Sequence, residues 1–112
     1  MNIENTAVTA IPDFNAALGE FVAATQEKIN AEYARIYQHV QPPKLVVERG
    51  VKNVKIVSAE SNSRSVFCFV RIADGAILKA ASWKAPAKHS RGSIYVNRGQ
   101  EAVSIYGANY IR

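Results

Sequence analysis

The stretch SVFCFVRIADGAILKAASW, from Ser65 to Trp83, decides how the chain folds. Two runs rich in β-branched and aromatic residues flank Ala73-Asp74-Gly75-Ala76, and Asp-Gly suits the positive backbone angles of a two-residue type I′ turn. A β-hairpin is predicted. In that register Arg71 lies opposite Leu78, Phe69 opposite Ala80 and Phe67 opposite Ser82; on the other face Val70 meets Lys79, Cys68 meets Ala81 and Val66 meets Trp83. The run VFCFV is apolar on both faces. It therefore belongs in the middle of a sheet, or its second face is covered by a helix, an arm or another chain.

Working outward, KLVVER, NVKIVSAE, AILKAASW, SIYVNR and AVSIYGANYI are short, rich in Val, Ile and Tyr, and separated by turn residues. They extend the hairpin to an antiparallel sheet of about five or six strands. Upstream the period changes. Phe14, Leu18, Phe21, Val22, Thr25, Ile29, Ile36 and Val40 recur at three- and four-residue steps, which is an amphipathic helix. Asp13 caps its first turn, and Gln41-Pro42-Pro43 stops it, because proline lacks an N–H and restricts the residue before it. The expected organisation is one α+β domain over residues 1–112: a loose arm over 1–12, a helix over 13–40 and a sheet over 44–112. A helix of that span is roughly 42 Å long, whereas a five-residue strand covers roughly 17 Å. Its apolar end needs a second partner, and a homo-oligomer is expected.

The net charge of +5 is unevenly placed. Residues 1–43 carry five acids against two cations, a net −3, and residues 44–112 carry twelve cations against four acids, a net +8. A clustered positive field favours an anionic partner such as nucleic acid or an acidic surface. Cys68 is the only cysteine, so neither an intrachain disulfide nor a cysteine-rich zinc site can form, and a reducing, cytoplasmic setting is expected. No apolar run approaches the length of a membrane span, and MNIENTAVTAIPDF has no signal-peptide pattern.

Enzymatic parts are missing from the sequence. His39 and His89 are the only histidines, no phosphate-binding glycine loop is present, and Glu27 and Glu32 point to different faces of the helix. Cys68, on an apolar strand, reads as a small core residue. A non-catalytic protein without cofactor or metal is expected. The strand from Phe67 to Ile72 resembles the aromatic strand of RNA-recognition domains, but it lacks their basic-glycine opening and carries Ile72 where an aromatic is required. Phe67 and Phe69 are accordingly read as core.

The most informative segment is LKAASWKAPAKHSRGSIYVNR, Leu78 to Arg98. It lies within 26 consecutive acid-free residues between Asp74 and Glu101. Lys79, Lys84, Lys88, Arg91 and Arg98 supply charge there, His89 joins them, and Trp83 and Tyr95 are interleaved. Pro86 breaks regular structure, so Lys84 to Gly92 reads as a loop between two strands. Such a loop can lay cations on phosphates while Trp83 offers a face to a base. Equally, Trp83 can anchor the loop into the core.

The run from Leu78 to Gly92, following a Phe-Val strand and an Asp-Gly turn, resembles a segment of small tailed-bacteriophage proteins that have no assigned activity. The likeness spans roughly residues 64–95, with Trp-Lys-Ala-Pro-Ala-Lys its most specific part. It implies a viral origin, hence a host-cell cytoplasm, and no site residues. The combined expectation is a small basic nucleic-acid-binding accessory protein. A virion or assembly component making protein contacts, and a binder of small anionic nucleotides, are the alternatives.

Overall fold

A computed structural model of the chain describes residues 13–109; the arm read over residues 1–12 lies outside them. Helix α1, Phe14–Ile36, begins where the sequence places it. Asp13 is in the extended region and its carboxylate accepts the Asn15 N–H at 3.2 Å, satisfying one of the unpaired donors of the first turn. The helix ends four residues before the expected Val40. Tyr37 leaves helical angles while its N–H still donates to the Tyr33 carbonyl at 2.8 Å, and a turn closed by the Val40 N–H on the Tyr37 carbonyl follows. The two prolines are thus a barrier the helix never reaches. At 23 residues it is about 34 Å long.

Five antiparallel strands follow in the spatial order β1-β2-β3-β4-β5, each beside its neighbour in sequence. They are β1 (Lys44–Arg49), β2 (Asn53–Ala59), β3 (Arg64–Arg71), β4 (Ala76–Ala80) and β5 (Pro86–Ser93). The fold is α+β. Strand β3, with its VFCFV run, is central, and Phe67, Cys68, Phe69 and Val70 are all buried.

Two local readings are corrected. The Asp-Gly turn is not a two-residue type I′ turn: Phe69 lies opposite Leu78 and Val70 opposite Ile77, so four residues, Ile72 to Gly75, remain in or beside the turn once Arg71 and Ala76 close it. Only Gly75 has a positive φ (74°). The longer turn is held by Asp74, whose carboxylate accepts from Arg71 Nε and Nη2 at 3.0 and 2.9 Å and from the Ala76 N–H at 3.1 Å. The shift by two keeps Phe69 and Val70 on the faces expected for them, but Val66 and Trp83, expected on the Cys68 face, lie on the other, Val66 opposite Val57 and Trp83 beside Lys55. The second correction concerns Lys84 to Gly92, most of which is strand β5. Pro86 is its first residue and β5 is an edge strand, where a missing N–H costs no ladder bond.

Beyond β5 the long strands expected from SIYVNR and AVSIYGANYI are broken. Asn97 and Arg98 take positive φ (49° and 53°) in a short 3₁₀ turn, and the remainder is a two-residue-per-strand hairpin, β6 (Val103–Ser104) and β7 (Gly107–Ala108).

One face of the sheet carries α1. Leu18, Phe21 and Ile29 pack with Val54, Ile56, Cys68, Val70 and Ile77, and the C-terminal segment adds Ile94, Ala102, Val103 and Ala108. Polar groups staple these parts together. Gln26 accepts the Leu45 N–H at 2.8 Å and donates to the Pro43 carbonyl at 2.9 Å, occupying the start of the outer edge of β1 as a paired strand would. Lys28 donates to the Gln100 and Val103 carbonyls at 3.3 and 3.2 Å, and burial lowers its pKa. Among the described residues no helix lies on the opposite face, yet the residues the register points there, Val57, Phe69 and Leu78, are buried.

Candidate nucleic-acid interface

The connection between β4 and β5, Ala81 to Ala85, is a tight turn. The N–H groups of Ala81 and Ser82 donate to the Ala85 carbonyl at 2.9 and 3.1 Å, while Ser82 Oγ accepts from the Lys84 and Ala85 N–H groups at 3.3 and 3.2 Å. A serine bonding forward in this way fixes a short turn. At its tip sits Trp83, 41% exposed.

The indole is flanked by cations from two other strands. Lys55 Nζ lies 4.0 Å from the ring centroid and the Arg64 guanidinium carbon 5.8 Å from it, both within cation–π range. Lys55 reaches this face because it alternates with the buried Val54 and Ile56 along β2. Arg64 reaches it through a β-bulge. The pairing moves from Ile56 opposite Cys68 to Val57 opposite Val66, so one residue of β3 is skipped and Arg64 changes side. Without the bulge Arg64 would point with Cys68 toward the helix.

Arg64 also pairs with Glu48 at 2.5 Å. Beside them is a hollow of about 290 Å³ whose lining includes Glu48, Lys52, Lys55, Phe69 and Lys84. None of the ion pairs among the described residues involves Lys52, Lys55 or Lys84. With Glu48, the one acid among the described lining residues, already matched by Arg64, these three ammonium groups give it a net positive field.

The sequence-derived candidates do not form one cluster. Trp83 and Lys84 are on the face just described. Lys88 and His89 are exposed on edge strand β5. Arg91, also on β5, donates to the Asn109 carbonyl at 2.8 Å and to the His89 carbonyl, which ties it to the C-terminal segment. Lys79 donates to the Ala108 carbonyl at 3.5 Å. Tyr95 and Arg98 line a separate hollow with Asp13 and Glu20 at the start of α1, where acids offset the charge. Lys55, Arg64 and Lys52 were missed by the sequence reading. The alternation of NVKIV marks Lys55 as facing away from the helix; nothing in sequence marks the bulge that delivers Arg64.

Other chemistry finds little support in this arrangement. Burial pushes the Cys68 thiol far up from its ordinary value, which suits packing and not nucleophilic attack. Among the described residues no three His, Cys, Asp or Glu side chains come together as a metal would require, and no helix is long and apolar enough to cross a membrane.

Among the described residues, fold and site together define an α+β protein with α1 on one face of a five-stranded antiparallel meander and a cation-flanked tryptophan on the other. The chain belongs to DUF7717, a family of unknown function, which it matches over residues 1–108. No curated protein and no solved structure matches it.

Proposed function

We propose that the protein is a small, non-catalytic nucleic-acid-binding accessory protein, and that it holds single strands on the face of its sheet opposite α1. The observation that carries this reading is the half-exposed Trp83 ring bordered by Lys55, Arg64 and Lys84. A flat aromatic face accepts any base, and cations around it meet the flanking phosphates, a combination that needs no sequence code. Lys88 and His89 follow on β5, both exposed; as neighbours in a strand they point to opposite faces, so one of them extends the contact. The bacteriophage-like segment over residues 64–95 contains Arg64, Trp83, Lys84, Lys88 and His89, and it supports a viral protein acting in the host cytoplasm.

The test is binding of single-stranded and duplex oligonucleotides across a salt series. Each phosphate contact to a single strand contributes about 0.7 to the slope of log affinity against log salt. Changing Lys55, Arg64 and Lys84 together to Gln should therefore flatten the slope by about 2. A folded triple variant with the parent's slope would remove nucleic acid from this face.

A second reading, an assembly component that contacts copies of itself, is favoured by the far end of α1. Ile36, Tyr37, Val40 and Tyr106 are 38–72% exposed there, and the Tyr37 and Tyr106 hydroxyls are joined at 3.2 Å. The stripe that packs on the sheet through Ile29 and, in part, Tyr33 runs on into the exposed Ile36 and Tyr37.

A further inference from the structure

We infer that the hollow between the β1–β2 turn and the β4–β5 connection takes a terminal phosphate, a phosphomonoester, whose nucleoside lies against Trp83. This rests on the reading of the Trp83 face given above and narrows it from a strand in general to the end of one.

Position along the sheet is the first argument. Arg64 lies opposite Ala59 at one end of β2, Lys55 is near its middle and Lys52 stands just beyond its other end. From Ala59 to Asn53 is about 20 Å along the strand. A nucleic-acid strand lying along β2 over Trp83 meets the β1–β2 turn, Gly50 to Lys52, at that far end. The hollow sits against this turn, whose backbone is closed by the Gly50 N–H on the Asn53 carbonyl at 2.9 Å.

Charge is the second argument. Lys52, Lys55 and Lys84 line the hollow without an acid of their own, since Glu48 is taken by Arg64. Arg49 contributes only its edge, because its guanidinium is bonded to Asn15 and lies 5.9 Å from the Phe14 ring on the helix side. An internal phosphodiester brings one negative charge to three ammonium groups; a phosphomonoester brings roughly 1.5 to 2 at pH 7 and a third unesterified oxygen. The monoester matches the lysine count better. Lysine, with a mobile ammonium and no fixed fork, suits a group approached from several sides.

The phosphomonoester can belong to a strand end or to a free mononucleotide, and the experiment separates them. Affinities are measured for one single-stranded oligonucleotide in three forms, with a 5′-phosphate, a 3′-phosphate or hydroxyls at both ends, and for free deoxynucleoside monophosphate. The expected result is binding about tenfold tighter for a phosphorylated end than for the hydroxyl form at pH 7.5. That preference should shrink toward pH 5, as the phosphate takes up its second proton near pH 6. It should also vanish in Lys52→Gln/Lys84→Gln, two exposed positions whose change leaves folding intact by thermal denaturation. Equal affinity of all three strands overturns the inference while leaving strand binding in place. If the mononucleotide binds and no strand does, the phosphomonoester site stands and the nucleic-acid function falls. If nothing binds, both fall.

Discussion

The Lys55 ammonium stands 4.0 Å from the centre of the Trp83 ring, so the only tryptophan in the chain carries its own cation. On the proposed reading, a base stacked on the indole would leave Lys55 beside the flanking phosphate. Trp83→Ala should lower single-strand affinity by roughly 1–3 kcal/mol. Because the ring is 41% exposed, stability should fall by much less than the roughly 3–5 kcal/mol of a core tryptophan. Titration followed by the quenching of Trp83 fluorescence in the parent, and denaturation of both proteins, checks the pair of values. A large stability loss with parental affinity per folded molecule would make Trp83 a wedge.

Asp74 has a pKa held below the ordinary carboxylate value, first by the Arg71 guanidinium and then by the Ala76 N–H. A depressed folded pKa means the contribution is complete above the unfolded value, about 3.9, and is lost as pH falls through the folded one. Asp74→Asn should therefore cost stability at pH 7 and cost progressively less below about pH 4. Both side chains are largely exposed, so solvent screening should keep the difference small. Thermal midpoints of the two proteins between pH 2 and 7 give the comparison, and a gap that widens on acidification contradicts the assignment.

Gly99 has φ of 74°, and a Cβ there would lie 2.5 Å from Phe21 Cδ1 and 2.9 Å from Ile77 Cδ1. Backbone strain and overpacking add at this point. Gly99→Ala should destabilise by about 2–4 kcal/mol. Urea denaturation measures it; a loss below about 0.5 kcal/mol would mean that the contact between the 3₁₀ turn and α1 is loose.

The uncovered end of α1 supplies the test of self-association. Light scattering over a wide dilution range should show size growing with concentration, and Ile36→Lys should hold the protein at monomer size without lowering its thermal midpoint, since Ile36 is 46% exposed. A parent that stays monomeric throughout removes the assembly reading.

What the sequence discloses depends on whether the cause is local. Asp13 as cap, the central position of VFCFV and the burial of Cys68 follow from short-range patterns, and the α+β class followed from them. The end of α1 did not, because Tyr37 leaves the helix before any breaker is met. The Asp-Gly turn lengthened because Asp74 has two partners, Arg71 and the Ala76 N–H, that the dipeptide alone does not announce. Strand β5 was hidden by its own composition: Pro86, Lys88, His89, Ser90, Arg91 and Gly92 have no alternation to read, and only β4 gives them a ladder. The candidate site was half legible. Trp83 and Lys84 stand out in one segment, whereas Arg64 joins them through a bulge, a property of two strands at once.

The two borders of the sheet are unlike each other. Gln26 fastens the start of β1 to the helix, while β5 hangs from β4 by a ladder interrupted at two places and brings few apolar side chains of its own. Free energy of opening is lowest where buried contacts are fewest, so this margin should exchange its amide hydrogens long before β2 and β3 do. The turn bearing Trp83 is tethered to that margin. Hydrogen exchange resolved by residue should show the platform loosening together with β5 while α1, β2 and β3 stay closed, which would let the proposed contact surface remould itself at little expense to the rest of the molecule.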